Sequence, residues 1–301
     1  MKPSDVLTLL ALGALWGGSY LFMHVGAAGF GPWTLAGLRA AVAAVCLLPL
    51  LLAGGRWREL AANWKPVAVA GIAGAALPYV LYAFATQHIS TGLTATLSAA
   101  TPLYAAAIAA LWLRERLSAP RFAGLLLGLA GVVWLVRDRI DAGTGGLAAL
   151  AIGAALLATL GYGFTGNFSR RHLSGVAPLV AAAGGQAASA LTLSVPAVLH
   201  WPAASPSLRA WAALIALALL CTALAYLLFF RLIARIGAAR TMTVSFLIPL
   251  FGVFWGWLFL GERIDADMLV GGAIILAGTT LSSGLADGAF ARLRAREMAA
   301  S

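Results

Sequence analysis

One stretch of this chain occurs twice. Residues Ala76 to Gly131 return as Ala223 to Gly278, 147 positions later and without a gap. Ala76-Leu77-x-Tyr79 reappears as Ala223-Leu224-x-Tyr226, and Thr94, Thr96 and Ser98 as Thr241, Thr243 and Ser245. Pro102-Leu103 matches Pro249-Leu250, and Glu115-Arg116 matches Glu262-Arg263. Gly124 and Leu129-Ala130-Gly131 match Gly271 and Leu276-Ala277-Gly278. A bias toward apolar residues inflates matches of Ala, Leu and Gly. It does not account for shared Pro, Tyr, Glu and Arg, which are scarce in this chain. A repeat of this length constrains the fold to two like halves. In membrane proteins such halves hold the substrate site between them.

The composition supplies the membrane. Of 301 residues, 62% are hydrophobic and 10% charged, and mean hydropathy is +0.93. A soluble domain carries about 25% charged residues, so the solvent for this surface is lipid. The net charge of +10 does not point to nucleic acid, because Lys and Arg collect in the cytoplasmic loops of membrane proteins. Cys46 and Cys221 both lie in apolar runs and read as packing residues, with no disulfide framework or metal site.

A span needs about 20 mostly apolar residues. Ten fit, at 6–27, 33–53, 66–86, 92–113, 119–136, 146–168, 176–199, 208–230, 238–260 and 266–286. Breaks fall at Gly29-Phe30-Gly31-Pro32, Gly54-Gly55-Arg56-Trp57-Arg58, Ser169-Arg170-Arg171-His172 and Trp201-Pro202-Ala203. The first span is too long for a cleaved signal peptide and lacks a cleavage site. With a cytoplasmic N-terminus, fifteen of the twenty Lys and Arg lie inside, four outside, and Arg39 within a span. This bias places both termini inside. Five spans per half force the second half into the membrane in the opposite sense. The expected fold is therefore all-α and polytopic: ten transmembrane helices in two inverted five-helix repeats, residues 1–140 and 141–301. Inverted repeats support alternating access.

The doubled pattern resembles the drug/metabolite transporter superfamily, and within it the ten-helix EamA-type members. The residues that carry the resemblance are Pro102-Leu103 with Leu113-Arg114-Glu115-Arg116, and Pro249-Leu250 with Leu260-Gly261-Glu262-Arg263. Trp16-Gly17 in the first span and Leu38-Arg39 in the second add to it. The resemblance implies a secondary transporter of the bacterial inner membrane that exports small metabolites, amino acids among them. A multidrug or other metabolite carrier, including an importer, is the alternative. It implies a small-molecule substrate and the lipid bilayer as partners, and a monomer, with a dimer as the alternative.

The candidate substrate-binding residues are Trp16, Arg39, Tyr79, Tyr82, Ser98, Tyr162, Tyr226 and Ser245. Tyrosines deep in a bilayer are uncommon because the hydroxyl needs a partner, and hydroxyls in lipid should face inward. Thr94, Ser98 and Thr101 share one helix face. Such groups either line a cavity or bond to their own helix and its neighbours. Arg39 lies about 9 Å from the outer end of its span. It either snorkels to that surface or attracts a carboxylate. Tyr20 and Asn167 are further candidates, and of Trp255 and Trp257 at least one faces lipid or a neighbour. Pro102 and Pro249 sit mid-span, where each removes a backbone hydrogen bond, and read as a pair of hinges or fixed kinks. Glu115 and Glu262 follow long apolar helices and read as structural groups that pair with adjacent Arg or with free backbone amides. Gly124/Gly128, Gly13/Gly17 and Gly252/Gly256 read as close-packing pairs.

None of the ten acids lies mid-span. The expectation is transport down the solute's own gradient, or weak coupling to protons, since coupled carriers often use a buried carboxylate. No phosphate-binding loop of the GxxxxGK[ST] type occurs, and no cofactor or metal is expected. A nucleophile–base set or buried acid pair for an intramembrane enzyme is not evident. The lining suits a neutral or zwitterionic solute with an apolar side chain.

Overall fold

A computed structural model describes residues 2–115, 117–137 and 146–283, the side chains of residues 238 and 239 excepted. Arg116, Arg139, the boundary between residues 140 and 141, and the carboxy-terminal Arg292, Arg294 and Arg296 of the charge count lie outside the described residues. So do Asp138, Asp141, Asp287, Glu297 and the end of the span expected at 266–286.

Lipid offers no partners for backbone N–H and C=O groups, so a spanning segment must bond to itself. Among the described residues the regular structure is accordingly helical throughout. The elements are α1 (Pro3–Ala53), α2 (Trp57–Ala62), α3 (Trp64–His88), α4 (Thr91–Trp112) and α5 (Ala119–Val136). They continue as α6 (Leu147–His172), α7 (Pro178–Leu199), α8 (Leu208–Ile236), α9 (Ala238–Thr241), α10 (Val244–Leu260) and α11 (Ala266–Ser282). Seven of them, α1 and α3 to α8, are long and apolar enough to cross a membrane; α10 and α11 are shorter apolar helices. Together they make a multi-pass membrane protein.

The 51 residues of α1 cover two expected spans. The two legs meet at Gly31, whose φ of 73° and ψ of 164° are non-helical. That φ suits glycine, which has no Cβ to clash. Pro32 then starts the second leg with its φ already helical. Two π-helical turns interrupt α3 and α8, at Ile72–Ala76 and Leu219–Leu224. Their first residues are again 147 positions apart, so the duplication extends to a local irregularity of the backbone.

The paired prolines do not have equivalent settings. α4 breaks at Ala99-Ala100, and Pro102 stands in the first turn of the segment Thr101–Trp112, where a missing N–H costs no bond. The positions equivalent to that break, Phe246-Leu247, lie inside α10, and the helix runs through Pro249. In the second half the chain breaks earlier, at Met242-Thr243, between α9 and α10.

Between helices in lipid the hydrophobic drive is weak, and close van der Waals approach replaces it. The seam of α5 and α11 follows this rule. A Cβ on Gly278 would collide with the backbone of Gly128, and one on Gly124 would meet the Ser282 amide and the Gly278 carbonyl. Large apolar side chains such as Leu111, Leu208 and Trp257 are exposed and cover the lipid-facing side. Outside the spans, Glu59 of α2 accepts the Ala177 N–H (2.7 Å) and the Arg56 guanidinium (2.9 Å). These bonds hold its carboxyl below the usual range, the Ala177 amide contributing most.

Gly278→Leu should sharply reduce the yield of monodisperse protein on detergent extraction, since overpacking a close seam costs about 1–3 kcal/mol or more. Gly153→Leu should extract like wild type, because nothing lies within 4 Å of its Cβ position.

Candidate functional site

A chamber of about 330 Å³ lies among α1, α3, α4, α6, α8 and α10. The first leg of α1 contributes Trp16, Ser19 and Tyr20, and the second leg Arg39. Tyr79 comes from α3, Ser98 and Thr101 from α4, Tyr162 and Thr165 from α6. Cys221, Tyr226 and Phe229 of α8 and Ser245 and Ile248 of α10 complete most of the wall. A larger groove of about 600 Å³ beside His24, Pro202 and Arg209 is an open surface feature without a buried charge.

Arg39 organises the chamber. Its residue exposure is only 5%, so the side chain does not reach the membrane surface. It turns inward instead. Nε donates to Thr222 Oγ1 (2.9 Å), Nη1 approaches Met23 Sδ (3.6 Å), and the guanidinium carbon lies 3.6 Å over the Tyr79 ring. A desolvated cation–π contact of this kind contributes on the order of 2 kcal/mol. Thr222 belongs to the π turn of α8, and its hydroxyl also donates to the Leu217 carbonyl (2.9 Å). The ion pairs among the described residues do not include Arg39. A buried cation held only by neutral groups is costly and is best completed by an anion.

Of the eight expected residues, the structure brings Trp16, Arg39, Tyr79, Ser98, Tyr162, Tyr226 and Ser245 onto this wall. Tyr82 is not part of it. The Tyr82 ring packs edge-on to Tyr20 (5.4 Å) and stacks against Tyr162 (5.9 Å), and its hydroxyl bonds Thr159 Oγ1 (2.8 Å). Tyr82 therefore supports the wall from behind, and Tyr20 takes the place expected of it.

The hydroxyls of the repeated stretch are bonded to their own helices. Ser98 donates to Ala95 O (2.6 Å) and Ser245 to Met242 O (2.8 Å), and Thr94 and Thr241 each reach the carbonyl four residues back. Ser98 and Ser245 also face the chamber, so the two readings of these residues coincide there. Asn167 donates to Ala105 O (2.8 Å) and joins α6 to α4. Trp255 donates to Ala14 O (3.0 Å), and Trp257 is the one that faces outward. Cys221, expected as packing, is on the chamber wall.

The two repeated glutamates behave differently. Glu262 accepts the backbone N–H of Thr91 (2.7 Å) and of Gly92 (3.0 Å), which closes the first turn of α4. Negative charge at a helix N-terminus is favourable. Glu115 is half exposed and pairs with Arg170 on α6 at 2.5 Å. Both partners lie far along the chain; Glu262 takes free backbone amides, one of the two expected kinds of partner, and Glu115 takes an Arg of another helix. Thr165 and Phe229 each lie seven positions, or about 10 Å, from the carboxy-terminal ends of α6 and α8, and Ser245 is in the first turn of α10, all on the side of the bundle where Glu115 sits.

No cluster of three or more His, Cys, Asp or Glu among the described residues is placed to hold a metal ion. The family model described as the EamA-like transporter family matches residues 4–137 and again 149–284. A probable terminal-alkyne amino-acid exporter of Streptantibioticus cattleyicolor is 27% identical, over 93% of this chain and 94% of its own. The uncharacterized inner membrane transporter YedA of Escherichia coli K12 is 26% identical, over 92% of this chain and 90% of its own. A solved crystal structure shares the fold with a TM-score of 0.68 at 22% identity, covering 95% of this chain and all of its own.

Thr222→Val should lower the stability of the detergent-solubilised protein by about 1–3 kcal/mol, because it strips Arg39 Nε of its acceptor. Thr192→Val, which changes an exposed hydroxyl, should leave the melting curve within error of wild type.

Proposed function

Because the chain belongs to the EamA-like transporter family, we propose that it is a secondary carrier exporting small zwitterionic metabolites, amino acids first among them, by alternating access. The carrier consists of ten spans in two inverted repeats, residues 1–140 and 141–301, with both legs of α1 crossing the membrane. It acts as a monomer in a bacterial inner membrane with both termini in the cytoplasm. The observation that carries the solute class is Arg39, a buried cation on the chamber wall with only neutral partners. A solute carboxylate completes that set, and the surrounding aromatic faces suit an apolar side chain. The name of the Streptantibioticus relative supports the same class.

Alternating access draws support from the unequal glutamates. The amides of Thr91 and Gly92, held by Glu262, correspond across the repeat to those of residues 238 and 239. The acceptor equivalent to Glu262 is Glu115. The chain thus carries the same acceptor twice: Glu262 holds the amides at one end, and Glu115, at the end toward which the chamber extends, is turned to Arg170. Exchange of these two arrangements opens the chamber to the opposite side.

Proteoliposomes of the purified protein should take up labelled neutral amino acids saturably, without an imposed proton or sodium gradient, and show counterflow. Arg39→Met should weaken uptake of carboxylate-bearing solutes at least tenfold, and Tyr79→Ala and Tyr226→Ala should reduce it, with insertion intact. A preference for phosphorylated sugars would overturn the solute class, and non-saturating flux would overturn the carrier reading. In a protein with Cys46 and Cys221 replaced by Ser, Ser245→Cys reports chamber access. Glu262→Gln should raise its labelling by an impermeant maleimide added on the Glu262 face. Unchanged labelling there would remove the Glu262 contact from the mechanism.

A further inference from the structure

Gln186 sits in the middle of α7, between Gly184-Gly185 and Ala187, in an apolar span. A primary amide in lipid needs partners for its carbonyl oxygen and its two N–H groups. Gln186 is 1% exposed, and its Nε2 donates to the Tyr79 hydroxyl (2.9 Å). Its Oε1 has no hydrogen-bond partner, and neither has Thr165 Oγ1. Both residues line one alcove of about 140 Å³. Gly74, Thr165 and Tyr226 belong to the walls of both the alcove and the chamber, so the alcove is a side branch of the site.

The alcove exists because glycines surround it. A Cβ on Gly74 would run into the Thr165 side chain, and one on Gly71 into the backbone of Gly185. The π turn Ile72–Ala76 passes along it. Its volume is that of about four or five waters, too small for a whole metabolite and sufficient for one small polar group. Buried oxygens without partners call for a group that donates hydrogen bonds. Gln186 Oε1 can only accept, and Thr165 can accept as well.

Tyr79 links this alcove to Arg39. Its ring lies under the guanidinium, and its hydroxyl accepts from Gln186. One tyrosine therefore separates a buried cation from an unfilled acceptor pair. An α-amino acid carries a carboxylate and an ammonium group on a single carbon, which is the complementary arrangement. We propose that Gln186 and Thr165 form the subsite for the ammonium end of the solute, and that they select zwitterions over monocarboxylates. This inference rests on the carrier reading above. A site built to receive a hydrogen-bond donor discriminates strongly against an analogue lacking it, because its own polar groups are then left unpaired.

The test is competition for uptake of labelled L-leucine and L-tryptophan by proteoliposomes of the full chain. In wild type, the unlabelled amino acid should compete at least tenfold better than its 2-hydroxy acid counterpart, which keeps the carboxylate and side chain. In Gln186→Leu this ratio should fall toward one through weaker amino-acid competition, with the 2-hydroxy acid little changed. Thr165→Val, a milder change, should move the ratio the same way. Gln186→Glu should preserve the preference and let the matching primary amines, which lack the carboxylate, compete better. An unchanged ratio in Gln186→Leu and Thr165→Val, with uptake intact, would mean that the alcove holds water only and would overturn the subsite. No saturable wild-type uptake of either amino acid would instead overturn the amino-acid solute class proposed above, and the subsite with it.

Discussion

A buried cation sets the terms for the interior. Arg39 lies where lipid surrounds the bundle, so every donor it owns must be answered by protein or solute. The protein answers with one hydroxyl, one sulfur and one aromatic face. None of these neutralises the charge. The wall around it is aromatic and hydroxylated, and its acids are elsewhere: Glu115 and Glu262 at the bundle ends, and Asp5 paired with Arg235 at 3.2 Å. The chamber is thus electrostatically incomplete, while the scaffold around it is closely packed. Gly-lined seams such as α5 with α11 provide that rigidity without any charge.

The halves repeat in sequence and differ in detail, and the differences fall at the ends of the chamber. α4 begins with Ser90 accepting the Leu93 N–H and with Glu262 over its first amides. The corresponding start of the ninth expected span is the short α9, followed by a break before α10. Pro102 initiates a helical segment, and Pro249 is enclosed by one. Identical residue types in equivalent positions therefore have different bonding.

The helical class and the long apolar segments were legible because hydropathy depends on no tertiary contact. Gly31 was legible as a bend from Gly29-Phe30-Gly31-Pro32. The direction of Arg39 was not, because its side chain is long enough to reach either the surface or the interior. Sequence allowed Glu262 to bind free amides, but the choice of Thr91 and Gly92, some 170 residues away, is made by packing. Tyr79 and Tyr82 could not be separated by spacing, since residues three apart share one helix face. Gln186 carried a signal that went unused: a glutamine in mid-span beside two glycines.

The two π turns also tie the site to the arithmetic of the chain. Each carries one residue more than an α-helical turn needs, and each sits beside a partner of Arg39. Tyr79 follows the turn of α3, and Thr222 lies within the turn of α8. Each residue of an α-helix advances the chain by about 100°. A π turn absorbs its extra residue locally, whereas removing one residue from the regular helix at Trp64–Gly71 would swing everything up to His88 by about that angle, carrying the Tyr79 ring away from the guanidinium. Insertions and deletions are therefore far from neutral here, even though the surrounding residues are small and apolar. The grip on the buried charge is encoded in the number of residues as much as in their identity.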